Sequence, residues 1–221
     1  MPRIGSGTRQ GSTELIDRSR QIALFDRYDQ PAVNIAAVAD CPDFVTPAKE
    51  AGIPPFARVL HAIGRASLDI PHMRLRLLEK RVSAVASLTL SYTVIGRDQN
   101  LNFSTIPYDS DFRSFLAAYL TDRELARNAV ELRLKPLTNR DYIFATCLPW
   151  LRFTSIQHPM ARFGDCSIPN IAIGKFGQRN GRVDFPVAVQ AHHGLVDGLH
   201  IAQFIARLEE VLAEAVNDPT R

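Results

Sequence analysis

Two neighbouring histidines and an aspartate form the motif in this chain that is most able to do chemistry. His192 and His193 are followed by Asp197 and a glycine, so the pattern is HHxxxDG. A neutral imidazole can take a proton from a weak nucleophile, which makes a histidine here a candidate general base. Two alternatives stay open. The histidines could simply be packed and hydrogen-bonded, with Asp197 capping a helix, or His193 and Asp197, four residues apart, could be metal ligands, although no further His/Cys cluster has ligand spacing.

The motif lies where a predicted strand passes into a predicted helix. Side chains alternate between the two faces of a strand, so His193 shares a face with Val189 while His192 lies on the opposite face. The two histidines therefore cannot do the same job. Beyond Gly198 the apolar residues recur every three or four positions, as in a helix with one buried face. They are Ile201, Phe204, Ile205, Leu208, Val211, Leu212 and Ala215.

The remaining patterns predict one mixed α/β domain. Residues 1–12 are rich in Gly and Ser and are expected to be a loose leader, and residues 13–217 form the domain. Helical patterns cover 13–28, 54–68 and 109–130, the last with Asp109 or Ser110 as its cap, and 73–78 is a short helical or extended piece. Strand patterns cover 34–39, 82–95, 101–106, 142–148, 170–176 and 183–192, and the last two are joined by a hairpin loop at 177–181.

Composition excludes several classes of function. The 26 basic and 23 acidic residues give a net charge of +3, too little for a nucleic-acid-binding surface. The basic stretch 72–81 alternates with aliphatic residues, which is typical of a half-buried surface element. The longest apolar-rich segment, 82–95, is too short and too rich in hydroxyl groups to cross a membrane. Three cysteines without metal-site spacing, Cys41, Cys147 and Cys166, indicate free thiols and a cytoplasmic protein.

Four segments in the right order make the chain resemble the chloramphenicol acetyltransferases. The strongest is the strand, HHxxxDG motif and helix at 185–201, and the others are LPWLRFTS at 148–155, DSDFRSF at 109–115 and IGKF at 173–176. Members of this family are homotrimers that move an acetyl group from coenzyme A to a hydroxyl group of the drug. The resemblance implies an α+β two-layer sandwich in which helices pack on one side of a mixed sheet.

The resemblance also implies roles for individual residues. The family's general base corresponds to His193, and a hydroxyl group that stabilises the oxyanion corresponds to Thr146. The motif aspartate of the family forms a buried ion pair with an arginine of the N-terminal helix, which corresponds to Asp197 and Arg18 here. A further threonine of the family falls at Ala172, so its contact is expected to be lost.

Substrate-binding residues are implied in the same way. Leu24, Phe25 and Phe103 fall where the family forms its acceptor pocket, while Lys175 and Phe176 fall beside the coenzyme. Acetyl-CoA would be a co-substrate, with no tightly bound cofactor and no metal. The partners implied are two further copies of the chain, with active sites at the subunit interfaces, and a small acceptor with a hydroxyl group. Nucleic acid and membranes are not among them.

Three hypotheses for the function follow from the sequence. The first is an acetyl-CoA-dependent O-acetyltransferase that acts on chloramphenicol or a related small alcohol, by direct attack in a ternary complex. The second is an acyltransferase of natural-product biosynthesis that uses coenzyme A or a carrier-bound thioester and a different acceptor. The third is a catalytically idle relative that only binds a small molecule.

Overall fold

The structure is a computed structural model that describes residues 16–78, 81–134, 140–159 and 167–217. The leader at 1–12, the first residues of the predicted helix 13–28 and Cys166 lie outside these ranges. The helices found within them are α1 (Ser19–Phe25), α2 (Val45–Glu50), α3 (Pro55–Asp69), α4 (Phe112–Asn128) and α5 (Gly198–Asn217). A 3₁₀ turn at Pro71–Arg74 follows α3.

The strands form one large mixed sheet and one small sheet. They are β1 (Ala32–Pro42), β2 (Leu75–Leu78), β3 (Arg81–Ala84), β4 (Thr89–Ile95), β5 (Leu101–Pro107), β6 (Tyr142–Cys147), β7 (Asn170–Ile173), β8 (Gly177–Arg179) and β9 (Arg182–His192). The large sheet has the order β1-β9-β7-β6-β4-β5, with β8 also paired to β9. Strand β6 is parallel to β4 and β7, and the other pairs are antiparallel. Strands β2 and β3 pair separately.

Helices α3, α4 and α5 pack on one face of the large sheet, which confirms the expected two-layer sandwich. The inner-face residues of β9, Val187, Val189 and Ala191, are buried in the main hydrophobic core. On α5 the apolar stripe is also buried there, including Phe204 and Leu208. Ala188 and Gln190, on the outer face of β9, are buried too, although they lie outside this core. Other residues of the chain therefore cover part of the outer face.

Local sequence explains several of these elements. Helix α3 begins at Pro55, where the fixed φ angle suits a first turn. The hairpin between β8 and β9 turns at Asn180 and Gly181, whose φ angles are +53° and +72°, as a two-residue turn of this kind requires. The expected hairpin is confirmed, but its loop is shorter than 177–181 because Gly177–Arg179 is strand β8.

Some predicted boundaries differ from the structure. The predicted strand 82–95 is two strands in different sheets, β3 and β4, because the chain bends at residues 86–87 between them. Helix α4 is capped by Asp111, not by Asp109 or Ser110, since the Asp111 carboxylate accepts from Ser114 N at 2.9 Å. Strand β1 is longer than predicted, and α2 was not predicted.

The basic stretch is more deeply buried at its centre than predicted: residues 75–77 are buried, whereas Leu78 and Arg81 are exposed. Arg76 on β2 is only 1% exposed. Its guanidinium donates to the carbonyl oxygens of Met73, Leu75, Arg140 and Tyr142 at 2.7–2.9 Å. Burial lowers the pKa of Arg76 to about 10, so the side chain remains charged at neutral pH. These bonds tie the small sheet to the start of β6.

Candidate active site

The His193 ring lies in the turn that follows β9, half-buried against α1. It stacks on Phe25 with 4.1 Å between ring centroids and 19° between the planes. The His193 main chain donates to Pro31 O at 2.7 Å, and Nδ1 lies 3.2 Å from Val196 O. Because a carbonyl oxygen can only accept, Nδ1 carries the proton in this contact. The lone pair is then on Nε2, which can accept a proton from another molecule.

His192 is engaged in holding the turn. Its ring is buried on the opposite face of β9, and Nδ1 accepts from Gly194 N at 3.1 Å. Burial lowers the pKa of His192, which keeps the ring neutral and able to accept. A Cβ atom at Gly194 would come within 3.0 Å of this ring and of Ile22. Residue 194 therefore has to be glycine for the turn to close over the imidazole.

Arg18, just before α1, binds the motif turn from the other side. Its guanidinium donates to Gly194 O at 3.0 Å, to His193 O at 3.4 Å and to Asp197 Oδ2 at 3.4 Å. The side chain of Arg18 is 9% exposed, whereas that of Asp197 is 36% exposed. The expected pair is thus present, but only its arginine end is buried. Two of the three contacts of Arg18 are with main-chain carbonyl groups.

Asp197 and His200 cap the start of α5 reciprocally. Asp197 Oδ1 accepts from Leu199 N at 3.2 Å, and Asp197 N donates to His200 Nδ1 at 3.2 Å. A backbone N–H can only donate, so His200 Nδ1 is unprotonated, although it also lies 3.1 Å from Asp197 Oδ1. The ring of His72 stacks on His200 with 3.4 Å between centroids. Burial lowers the pKa of His200 and lowers that of His72 to about 4.

A cavity of about 400 Å³ opens on the outer face of the sheet, away from the motif turn. Thr146 on β6 and Phe103 on β5 both line it, as do several polar side chains and a largely apolar wall. The polar side chains are Ser91, Thr93, His158 and Asn170, and the apolar wall includes Tyr92, Ile95, Leu101, Phe144, Leu148 and Trp150. We call this cavity the outer pocket.

Two amide side chains fasten the loop 148–159 over the outer pocket. Gln190 on β9 accepts from His158 N at 2.8 Å and donates to His158 O at 3.2 Å. Asn34, its partner across β1 and β9, donates to Ile156 O. Gln190 is buried, and its two bonds satisfy both polar ends of the amide. This loop is the layer that covers the outer face.

Within one chain, Thr146 and the motif turn are far apart. Thr146 lies beside Ala172, and Ala172 beside Ala188 on β9. His192 lies four positions beyond Ala188, at the end of β9. Thr146 is therefore offset from His192 by about 14 Å along the strand and by about 10 Å across two strand spacings. Neither side chain can span that distance. The structure therefore does not bring Thr146 and His193 together in a single chain.

The three residues expected to form the acceptor pocket also lie at two different places in the chain. Phe103 lines the outer pocket, whereas Phe25 stacks on His193 and the side chain of Leu24 next to it is 49% exposed. In a single chain the three residues do not form one wall. They surround two separate places, one at the motif turn and one at the outer pocket.

The two residues expected beside the coenzyme differ in their surroundings. Lys175 is exposed, and its main chain donates to Leu151 O at 2.7 Å. The Phe176 ring packs edge-on against Phe44 and Phe185, with centroid distances of 5.6 and 5.2 Å. Only Lys175 thus has a side chain free in solvent to meet an anionic group.

The described ranges contain neither a metal-binding cluster nor a helix that could span a membrane. No group of three or more His, Cys, Asp or Glu side chains there is arranged to hold a metal ion. None of the helices in these ranges has the length and hydropathy of a membrane span.

Several features of the site were not predicted from the sequence: the position of His158, the hydrogen bonds of Gln190 and Asn34 to the loop 148–159, and the stacked rings of His72 and His200. One signal was present: Gln190 is an amide within an otherwise apolar strand, and a buried amide needs partners. Those partners lie on a loop more than thirty residues away along the chain, and no local pattern points to them.

The fold and the site together define a class of protein. A mixed sheet with helices on one face carries an HHxxxDG turn whose second imidazole can accept a proton at Nε2, as expected of a histidine-dependent acyltransferase. The family model for chloramphenicol acetyltransferase matches residues 13–209. The chain belongs to the chloramphenicol acetyltransferase family and is an acetyl-CoA-dependent O-acetyltransferase.

Individual relatives agree with this family. Chloramphenicol acetyltransferase 3 of Escherichia coli is 28% identical over 154 residues, which cover 69% of this chain and 72% of that protein. The chloramphenicol acetyltransferase of Bacillus pumilus is 29% identical over 151 residues, or 67% of this chain and 68% of the relative. A solved chloramphenicol acetyltransferase structure superposes with a TM-score of 0.77 at 25% identity and covers 89% of this chain and 95% of that one.

Proposed function

We propose that this protein acetylates a hydroxyl group of chloramphenicol or a related small alcohol, with His193 as the general base. The observation that carries this proposal is the contact between His193 Nδ1 and Val196 O, which leaves the lone pair on Nε2. The relatives that carry the drug's name support the acceptor. Such an activity would give antibiotic resistance, and the free thiols Cys41 and Cys147 fit a reducing cytoplasm.

The reaction proceeds by direct attack. Nε2 of His193 takes the proton of the acceptor hydroxyl as its oxygen attacks the thioester carbon of acetyl-CoA. The hydroxyl group of Thr146 donates to the oxyanion of the tetrahedral intermediate. When the intermediate collapses, the C–S bond breaks, and the coenzyme A thiolate takes the proton from the His193 imidazolium. Atoms and charges then balance without an acyl-enzyme.

The active site is completed by another copy of the chain. In one chain Thr146 lies about 14 Å along and about 10 Å across the sheet from the end of β9, too far for both groups to act on one acceptor. We place His193, Leu24 and Phe25 of one copy over the outer pocket of its neighbour in a homotrimer. This arrangement reunites Leu24 and Phe25 with Phe103 in one acceptor wall.

Coenzyme A would bind beside the strand that follows β7. The exposed Lys175 is free to meet its phosphate groups, and Phe176, held by Phe44 and Phe185, offers a fixed ring edge. Each turnover releases the coenzyme, so acetyl-CoA acts as a co-substrate.

A thiol-release assay tests this function. The protein is supplied with acetyl-CoA and a panel of alcohols that includes chloramphenicol, beside His193→Ala. Release by the unmodified protein alone supports the proposal. Equal rates for the two proteins would contradict the base assignment, and acetylation of other alcohols but not chloramphenicol would favour the biosynthetic alternative. Binding of alcohols without any release would favour the idle relative.

A further inference from the structure

His158 is a polar group in the outer pocket that the proposed transfer does not use. His158 lines the cavity. Its Nε2 is buried and has no hydrogen-bond partner among the residues that the structure describes. Burial lowers the pKa of His158, so the ring is neutral at neutral pH. A buried polar atom without a partner is uncommon in folded proteins and is often a sign of function.

The main chain of His158 is fixed while its ring is not. Gln190 binds both the N–H and the C=O of His158 at 2.8 and 3.2 Å, so the residue cannot drift from the wall. No hydrogen bond holds the ring among the contacts of the described residues. Rotation about the Cβ–Cγ bond of histidine is soft. A bound molecule can therefore draw Nε2 towards the cavity at small cost.

The surroundings of His158 indicate the chemistry of its partner. The same cavity holds the Thr146 hydroxyl and is otherwise walled largely by apolar side chains such as Phe103 and Phe144. A neutral imidazole in such a wall favours an uncharged partner, because a carboxylate would have to lose its hydration. When one hydroxyl group of an acceptor lies near Thr146, the rest of the acceptor lies in the same cavity of about 400 Å³, which His158 also lines.

We propose that His158 determines acceptor specificity: the outer pocket selects small alcohols that carry a second, uncharged hydrogen-bonding group, a hydroxyl or an amide, to pair with His158. This inference rests on the proposed function. A ligand that pairs with a buried, unpaired polar group removes the cost of leaving that group unpaired, whereas a ligand that cannot pair leaves this cost in place. The preference for the polar acceptor is therefore expected to be about 10- to 100-fold, the range that corresponds to the cost of one unsatisfied buried polar group.

Trp150 allows acceptor binding to be measured without turnover. It is the single tryptophan of the chain and lines the outer pocket, so its fluorescence reports occupancy. The probes are a phenylpropanol and the phenylpropanediol that adds one hydroxyl group. The proteins are the unmodified chain, His158→Leu, His158→Gln and the control Gln157→Leu, which changes the exposed neighbouring residue.

The expected result is a preference for the diol that His158→Leu abolishes, by weaker diol binding and tighter phenylpropanol binding. His158→Gln and Gln157→Leu should keep the preference. Equal affinity of the unmodified protein for both probes, or an unchanged ratio in His158→Leu, would overturn the inference. Thiol release with the same probes separates the two proposals: binding through His158 without release contradicts the proposed function and leaves the specificity assignment standing.

Discussion

The motif turn and the outer pocket are held together in different ways. In the turn, His192, Arg18 and Asp197 each bind main-chain groups within a few residues of His193. In the outer pocket, side chains from four strands and a loop meet. The loop is fastened by Gln190 and Asn34, by the main-chain bond from Lys175 to Leu151 and by the ion pair of Arg152 with Asp184. The turn places one proposed catalytic group, whereas the pocket shapes a cavity. Acceptor selectivity can therefore change without disturbance of the base.

Loss of the His193 imidazole should have the largest effect. His193→Ala removes the only proposed base, so kcat is expected to fall by about 10²- to 10⁴-fold. The ring is half-buried and not part of the main core, so the fold should survive. Steady-state thiol release measures the change, and circular dichroism checks the fold. A decrease in kcat of less than tenfold, with the fold intact, would show that His193 is not the general base.

The hydroxyl group of Thr146 should give the next largest effect. Thr146→Val keeps the shape but removes the proposed oxyanion donor, and kcat is expected to fall by about 10²- to 10³-fold. Thr146→Ser is the matched control, since it restores a hydroxyl and should regain most of the rate. If the valine and serine variants behave alike, Thr146 only fills space in the pocket.

The two ends of the ion pair should contribute unequally to stability. Arg18→Met leaves the carbonyl groups of Gly194 and His193 without their donor, and we expect a loss of about 2–3 kcal/mol in the free energy of unfolding. Asp197→Ala removes a partly exposed charge and a helix cap, at about 1 kcal/mol. Urea unfolding at one protein concentration compares them. The reverse order would mean that the carboxylate, not the main-chain bonds, stabilises the turn.

Acid should weaken the turn through the stacked imidazoles. The pKa of His72 falls from 6.5 to about 4 on folding because of burial, with the neighbouring His200 and Arg18 opposing its charge and Asp197 favouring it. The unfolded chain thus binds more protons between these values, so this contribution is complete above pH 6.5 and is lost as the pH falls towards 4.

A glutamine at residue 72 cannot titrate in this range. Urea midpoints at pH 7.5 and pH 5, measured for the unmodified chain and His72→Gln, should show the smaller acid loss in the variant. An identical loss would place the acid sensitivity elsewhere, among the carboxylates or the other buried histidines.

The sequence predicts the motif turn better than it predicts the outer pocket. Periodicity and turn residues predicted a mixed α/β domain, the hairpin and α5, because those signals are local. The family resemblance predicted the two-layer arrangement. The strand-to-helix turn at Asp197 was predicted from local signals as well. The outer pocket was not, since His158 meets Gln190 only after the chain has folded. The burial of Arg76 was not predicted because its four carbonyl partners come from β2, the 3₁₀ turn, the residue pair before β6 and the first residue of β6.

We propose that His193 of one copy acts in the outer pocket of another. Mixed oligomers of His193→Ala and Thr146→Val test it, after the two inactive variants are unfolded and refolded together. With equal, random mixing, about a quarter of the sites formed between copies combine an intact His193 with an intact Thr146. We therefore predict recovery of about a quarter of the unmodified activity. Activity that stays at the level of the separate variants would contradict the claim.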